Sequence, residues 1–119
     1  MRYNRYMFAQ QNRLRREKEV DLVFKKGKSV FDSACGIKFK ENHQSDSRFA
    51  IVVGTKVHKR AVQRNRMRRQ YREILKKHLP EFKTGYDVVL LTSKEALALD
   101  FAQKEERLLR VLRKAKLIV

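Results

Sequence analysis

Between Lys56 and Lys77 the chain carries ten Lys or Arg side chains and one acid, Glu73. Six of the ten are arginines, whose planar guanidinium groups bind phosphate through two parallel hydrogen bonds and stack on bases. The stretch holds no Pro or Gly and is rich in Arg, Lys, Gln, Leu and Met, so it predicts a helix. On a wheel of 3.6 residues per turn, Met67, Tyr71, Ile74 and Leu75 share one face and must pack inward. Asn65, Arg68, Arg69, Arg72 and Lys76 share another arc and face solvent or a ligand. Arg64 lies at its border and Arg66 points well away, so Arg64-Asn65-Arg66 cannot grip one phosphate with all three side chains. A helix face built only for solvent mixes charge signs to gain i,i+4 pairs, and this one does not. A membrane-surface helix would need the apolar face that the core already claims.

Groups suited to covalent or acid–base chemistry are sparse. His43, His58 and His78 lack metal-ligand spacing and a paired carboxylate, so no metal site and no catalytic residue is expected. Cys35 is the one cysteine, which excludes an internal disulfide and a CxxC zinc cluster; its place on an alternating stretch marks a core residue. No Gly-rich phosphate loop occurs, so nucleotide hydrolysis is not indicated. The chemistry is binding.

The whole chain supports a polyanionic partner. Its 119 residues hold 30 Lys+Arg and 13 Asp+Glu, a net charge of +17. Residues 1–28 contribute +6, 29–55 zero, 56–77 +9 and 78–119 +2. Two basic blocks therefore flank a neutral, strand-like stretch, the pattern of a binding face.

The elements that must position these groups follow from periodicity and breakers. A first helix is expected from about Asn12 to Lys26, with Leu14, Val20, Val23 and Phe24 inward and Gly27 stopping it in a left-handed conformation. Ser29–Lys40 reads as one strand, Glu41–Ser47 as a turn, and Arg48–Val53 as an antiparallel, central return strand. Pro80–Gly85 ends the arginine-rich helix. Asp87–Thr92 is a buried strand, and Ser93 opens a last helix through Leu117 with Leu97, Phe101, Leu108, Leu109 and Leu112 inward. This gives an α+β fold: one α/β sandwich over residues 13–119, with a mixed, mainly antiparallel sheet. Residues 1–12 form a basic arm whose Tyr3, Tyr6 and Phe8 are candidates for base stacking. No apolar run approaches the ~18–20 residues of a membrane helix, and the N-terminus lacks a signal-peptide pattern, so a cytoplasmic protein is expected.

Arg64-Asn-Arg-Met-Arg-Arg69, preceded by Lys59-Arg-Ala-Val-Gln and followed by Tyr71-Arg-Glu, resembles the signature helix of the bacterial ribonuclease P protein component. Arg13-Leu14 with Val23-Phe-Lys-Lys-Gly-Lys-Ser29 is similar to that family's first helix and turn, and Asp87-Val-Val-Leu-Leu91 to its last strand. Thr55-Lys56 stands where the family often has two lysines, and Val20 where it has an aromatic. The resemblance implies a non-catalytic subunit that helps a catalytic RNA, with its Mg2+, remove the 5′ leader of precursor tRNA. It implies contacts to that RNA from Lys56, Lys59, Arg60, Arg64, Asn65, Arg66, Arg68, Arg69 and Arg72, and a leader cleft from Val20, Phe24, Lys38 and Phe39. It also implies a left-handed βαβ crossover, against the general right-handed preference, and neither a membrane nor a stable protein partner. A ribosomal or tRNA-binding protein is the alternative that the charge alone allows.

Overall fold

The computed structural model describes residues 12–119, so the arm expected over residues 1–12 lies, apart from Asn12, outside the described residues. The elements run α1 (Glu17–Lys26), β1 (Lys28–Phe31), β2 (Cys35–Glu41), β3 (Arg48–Val52), α2 (Ala61–Lys77), β4 (Tyr86–Thr92) and α3 (Phe101–Lys114). The sheet order is β1-β2-β4-β3, with β3 and β4 parallel and the other two pairings antiparallel. Among the described residues no helix is long and apolar enough to cross a membrane.

Three expectations are corrected here. Ser29–Lys40 is a hairpin, because Asp32 turns the chain: its Oδ1 accepts from the backbone N–H of Ala34 (2.7 Å) and Cys35 (3.0 Å). Strands β2 and β3 do not pair; β4 lies between them, and β3 takes an edge. The central strand is the one whose Val88, Val89 and Leu90 are all fully buried, as burial of both faces requires. Finally, the first helix begins at Glu17, because residues 12–14 are used elsewhere. Asn12 Nδ2 donates to the Ser47 carbonyl (2.8 Å), Leu14 N to the Phe49 carbonyl (2.9 Å), and Arg13 bridges Phe49 in parallel fashion. This short segment covers the outer edge of β3.

The sheet has two unlike faces. Cys35, Ile37, Phe39, Phe49, Val88 and Leu90 join Met67, Tyr71, Ile74 and Leu75 of α2 and Leu108, Val111 and Leu112 of α3 in the main core. On the other face Leu14, Val23 and Val89 form a small cluster with Val20, Ala50 and Leu91. Leu97 and Phe101 are about two-fifths exposed, contrary to expectation. A separate 3-10 turn, Lys94–Ala98, shifts their phase, and α3 starts afresh at a capping box between Asp100 and Gln103. Burial pushes the Cys35 thiol up to about 12, so it stays protonated and inert.

Gly27 follows α1 with φ −79°, not in the left-handed region. Its role is space: a Cβ there would lie 2.4 Å from the Val23 carbonyl oxygen and 2.8 Å from that of Phe39. Gly27→Ala is expected to destabilise the fold by about 1–3 kcal/mol, measured by urea denaturation, because two backbone segments must separate.

Where α2 ends, protonated His78 donates from both ring nitrogens to carboxylate oxygens of Glu81 and Glu105 (2.8 Å), and Lys77 reaches the same Glu105 oxygen (2.9 Å). Burial alone lowers the His78 pKa, but the two carboxylates outweigh it and hold it above its ordinary 6.5. The bonds from Lys77 and His78 hold Glu105 below the usual carboxylate range. A raised histidine pKa stabilises fully at pH below the unfolded value and loses that contribution as pH rises through the folded one. Stability should therefore fall by about 1 kcal/mol, or roughly 4 °C in Tm, as pH is raised through and above about 6.5, and His78→Gln should flatten that slope.

Candidate nucleic-acid interface

The inward face of α2 is the expected one: Met67, Tyr71, Ile74 and Leu75 are buried. Its outer arc is braced rather than loose. Arg64 donates to the carbonyls of His58 (3.0 Å) and Lys59 (2.8 Å), which shapes the loop entering the helix at the N-cap residue Arg60. Arg68 donates to Asn65 Oδ1 and to the Val53 carbonyl (3.3 Å), tying the stripe to the end of β3. Lys56, Lys59, Arg60, Asn65 and Arg69 are exposed. Arg66 stands apart, lining a depression with Gln70, Phe101 and Lys104 on the α3 side. Burial, and then Arg66, pushes the Lys104 ammonium group down.

Arg72 is the centre of the stripe. Burial and then the neighbouring guanidinium groups of Arg13, Arg68 and Arg69 push its pKa down. Arginine keeps its proton regardless, so the cluster concentrates like charges that a phosphate backbone relieves. Arg13 and Arg72 line a depression of about 430 Å³ beside Arg15, with Ala50 and Ile51 at its base. It adjoins a second depression of mixed charge that Arg13 and Arg15 share with Arg16, Glu19, Asp46 and Arg48. Arg13, Arg15 and Arg16 thus join a face that sequence periodicity assigned to α2 alone. Their +6 block carried the signal, but the contact depends on the edge segment beside β3.

A second surface lies on the α1 side of the sheet. The registers place Phe31, Gly36, Leu91 and Val52 in one row across all four strands, and Ser29, Lys38, Val89 and Ala50 in the next. Helix α1 covers the second row through Val20 and Val23, but leaves Phe31 51% and Val52 37% exposed. Phe24 is 39% exposed, and Lys38 Nζ lies 5.4 Å from its ring centroid. Gly36 makes room for the Phe31 ring, which lies across it: any Cβ there would strike that ring at 1.8 Å. Phe24, Lys38 and Val20 are therefore brought together. Phe39 is not: it is 7% exposed on the opposite face, against Tyr86, with ring centroids 6.3 Å apart. Period-two alternation assigns Lys38 and Phe39 to different faces, so only one of them can line this cleft. Phe31, Leu91 and Val52 were missed because the hairpin that sets their row was read as one strand.

Exposed aromatic rings beside a lysine suit unstacked bases and their phosphates. Guanidinium groups along a helix suit the backbone of a folded RNA. Among the described residues no group of three or more His, Cys, Asp or Glu side chains is placed to hold a metal ion.

Comparison with known proteins gives the family. The family model described as Ribonuclease P matches residues 8–116. The ribonuclease P protein component of Finegoldia magna is 36% identical over 103 residues, which cover 87% of this chain and 89% of that protein. That of Thermotoga maritima is 33% identical over 111 residues, covering 90% and 94%. The solved Staphylococcus aureus RNase P protein superposes with a TM-score of 0.84 at 26% identity, covering 91% of this chain and 98% of that one. The Thermotoga maritima protein, solved in complex with 1-(4-fluorophenyl)-2-thiourea, gives a TM-score of 0.80 at 32% identity, covering 86% and 98%. With the family model spanning nearly the whole fold, and with the arginine helix and edge segment inside the matched region, the chain belongs to the ribonuclease P protein family.

Proposed function

We propose that this chain is the protein subunit of a cytoplasmic ribonuclease P, holding the catalytic RNA and the 5′ leader of precursor tRNA at once. The observation that supports this is the presence of two unlike surfaces on one small body, an arginine stripe and a partly exposed aromatic row beside a lysine. The stripe Arg64, Asn65, Arg68, Arg69 and Arg72, extended by Arg13 and Arg15, lies on the catalytic RNA and reads its backbone and shape. The cleft of Phe24, Lys38 and Phe31 takes the single-stranded leader, stacking bases without demanding their identity. Phosphodiester hydrolysis belongs to the RNA subunit and the Mg2+ it holds. The chain's own residues bind, orient and neutralise.

Reconstitution tests the reading. Mixed with bacterial ribonuclease P RNA and precursor tRNA at low Mg2+, the protein should raise cleavage well above that of RNA alone; no gain would overturn the proposal. Arg68→Ala with Arg72→Ala should weaken RNA binding and reduce the salt slope by ~0.7–0.9 for each phosphate the variant no longer neutralises.

The cleft has its own test. Phe24→Ala should weaken binding of precursor tRNA to the assembled complex by about 5- to 100-fold, the range of one missing base stack, and leave binding of leaderless tRNA unchanged. Equal losses for both substrates would place the leader elsewhere.

A further inference from the structure

Five lysines that the two surfaces above leave unused converge on one depression. Lys26 ends α1, Lys28 opens β1, Lys40 lies near the end of β2, Lys83 precedes β4 and Lys116 follows α3, and together they line a hollow of about 540 Å³. That volume lies within the ~300–1,000 Å³ of ligand sites. The hollow sits at the Tyr86 end of β4 and on the β1–β2 side of the sheet. Because β3 and β4 run parallel, the first turns of α2 lie at the other end, beyond Val52.

The lining holds five lysines and one acid, so positive charge is in excess there. Glu41 lines the same hollow, and its Oε1 accepts from the Tyr86 hydroxyl at 3.4 Å. Among the described residues none of the five lysines forms an ion pair, and Lys40 donates only to the Glu41 carbonyl, at 3.1 Å. Elsewhere in the fold Arg48, Lys77, Arg107 and Arg110 all meet carboxylates. Lys116 adds a backbone argument. It closes α3 at φ 62°, a left-handed position that favours glycine, yet the residue is a lysine at the hollow's rim. The base of the hollow is aromatic, with half-exposed Tyr86 tilted against Phe39.

We infer that this lysine-rimmed hollow is a third RNA site, separate from α2 and from the α1 cleft, which takes the phosphates of a single strand and lays a base on Tyr86. Ammonium groups act as point charges without the fixed fork of arginine, so the site holds a strand without fixing its sequence. The aromatic base favours nucleotides over an acidic peptide. The inference rests on the RNA-binding reading above, from which its test can be told apart.

The test titrates the full chain against a fluorescent, 5′-phosphorylated pentauridylate by anisotropy at several salt concentrations. Lys83→Gln with Lys116→Gly should cut affinity about tenfold and reduce the salt slope by ~0.7 for each phosphate the variant no longer neutralises. The backbone bonds of Lys83 do not involve its side chain, and glycine suits φ 62°, so Tm should hold or rise. An unchanged slope and affinity in the lysine variant, with the arginine variant alone carrying a loss, would overturn this site and leave the RNA-binding reading intact. No loss in either variant would overturn this site and leave the strand to the α1 cleft, which the Phe24→Ala comparison tests. A pentaglutamate peptide that binds as tightly as the RNA, and whose binding the same lysine variant abolishes, would overturn the assignment to RNA.

Discussion

The bond between Arg48 and Asp87 sets the geometry on which the arginine stripe and the α1-side cleft both depend. Arg48 Nε and Nη2 reach the two oxygens of Asp87 at 2.8 and 2.7 Å, and the same two residues are register partners on the first rung of the parallel pair. Asn42 adds a third donor to Asp87, and Arg48 Nη1 binds Glu19 of α1 at 2.8 Å. A planar fork on a carboxylate has one good geometry, so the pair fixes how β3 slides against β4. Parallel strands need a crossover, and here the crossover is α2 itself. Fixing the register therefore fixes where the arginine stripe lies relative to the sheet, while Glu19 fixes α1 over the other face. Breaking one partner would leave a charge stranded at a largely buried site, which costs far more than the pair contributes when intact.

The acids explain why so much positive charge faces outward. Asp32 is held by Arg107 and two backbone amides, Asp87 by Arg48, and Glu105 by Lys77 and His78. Asp32 keeps its charge because these bonds outweigh the burial that would raise its pKa. Acids spent on internal joints are not available to balance the exterior. The net +17 is thus more concentrated at the surface than the composition alone conveys.

Helical periodicity made the core face of α2 legible, because Met67, Tyr71, Ile74 and Leu75 recur within one element and need no tertiary information. The ordered motifs around Arg64–Arg69 made the family legible in the same local way. What stayed hidden depends on contacts between distant segments. Asp32 divides one apparent strand into two, and only then does Phe31 meet Gly36. Alternation along β2 separates Lys38 from Phe39, but it does not say which of them looks toward α1. The insertion of β4 between β2 and β3 reverses which strand is central, although Val88–Leu90 carried the cue of burial on both faces. Summing charge by stretches conceals the lysine hollow altogether, since its members come from three of the four stretches, including the one that sums to zero.

The row left uncovered by α1 has a consequence for how copies of the protein treat one another. Phe31, Val52, Phe24 and Leu22 present apolar surface to water, and such surface on two molecules tends to meet and stick. A body carrying this much like charge resists that meeting, since each approach brings two cationic shells together. The same lysines and arginines that suit an RNA partner then also keep the open rows of two copies apart. Salt screens such repulsion over a Debye length of about 8 Å at physiological ionic strength. Colloidal behaviour and RNA recognition in this protein therefore draw on one set of charges and weaken together.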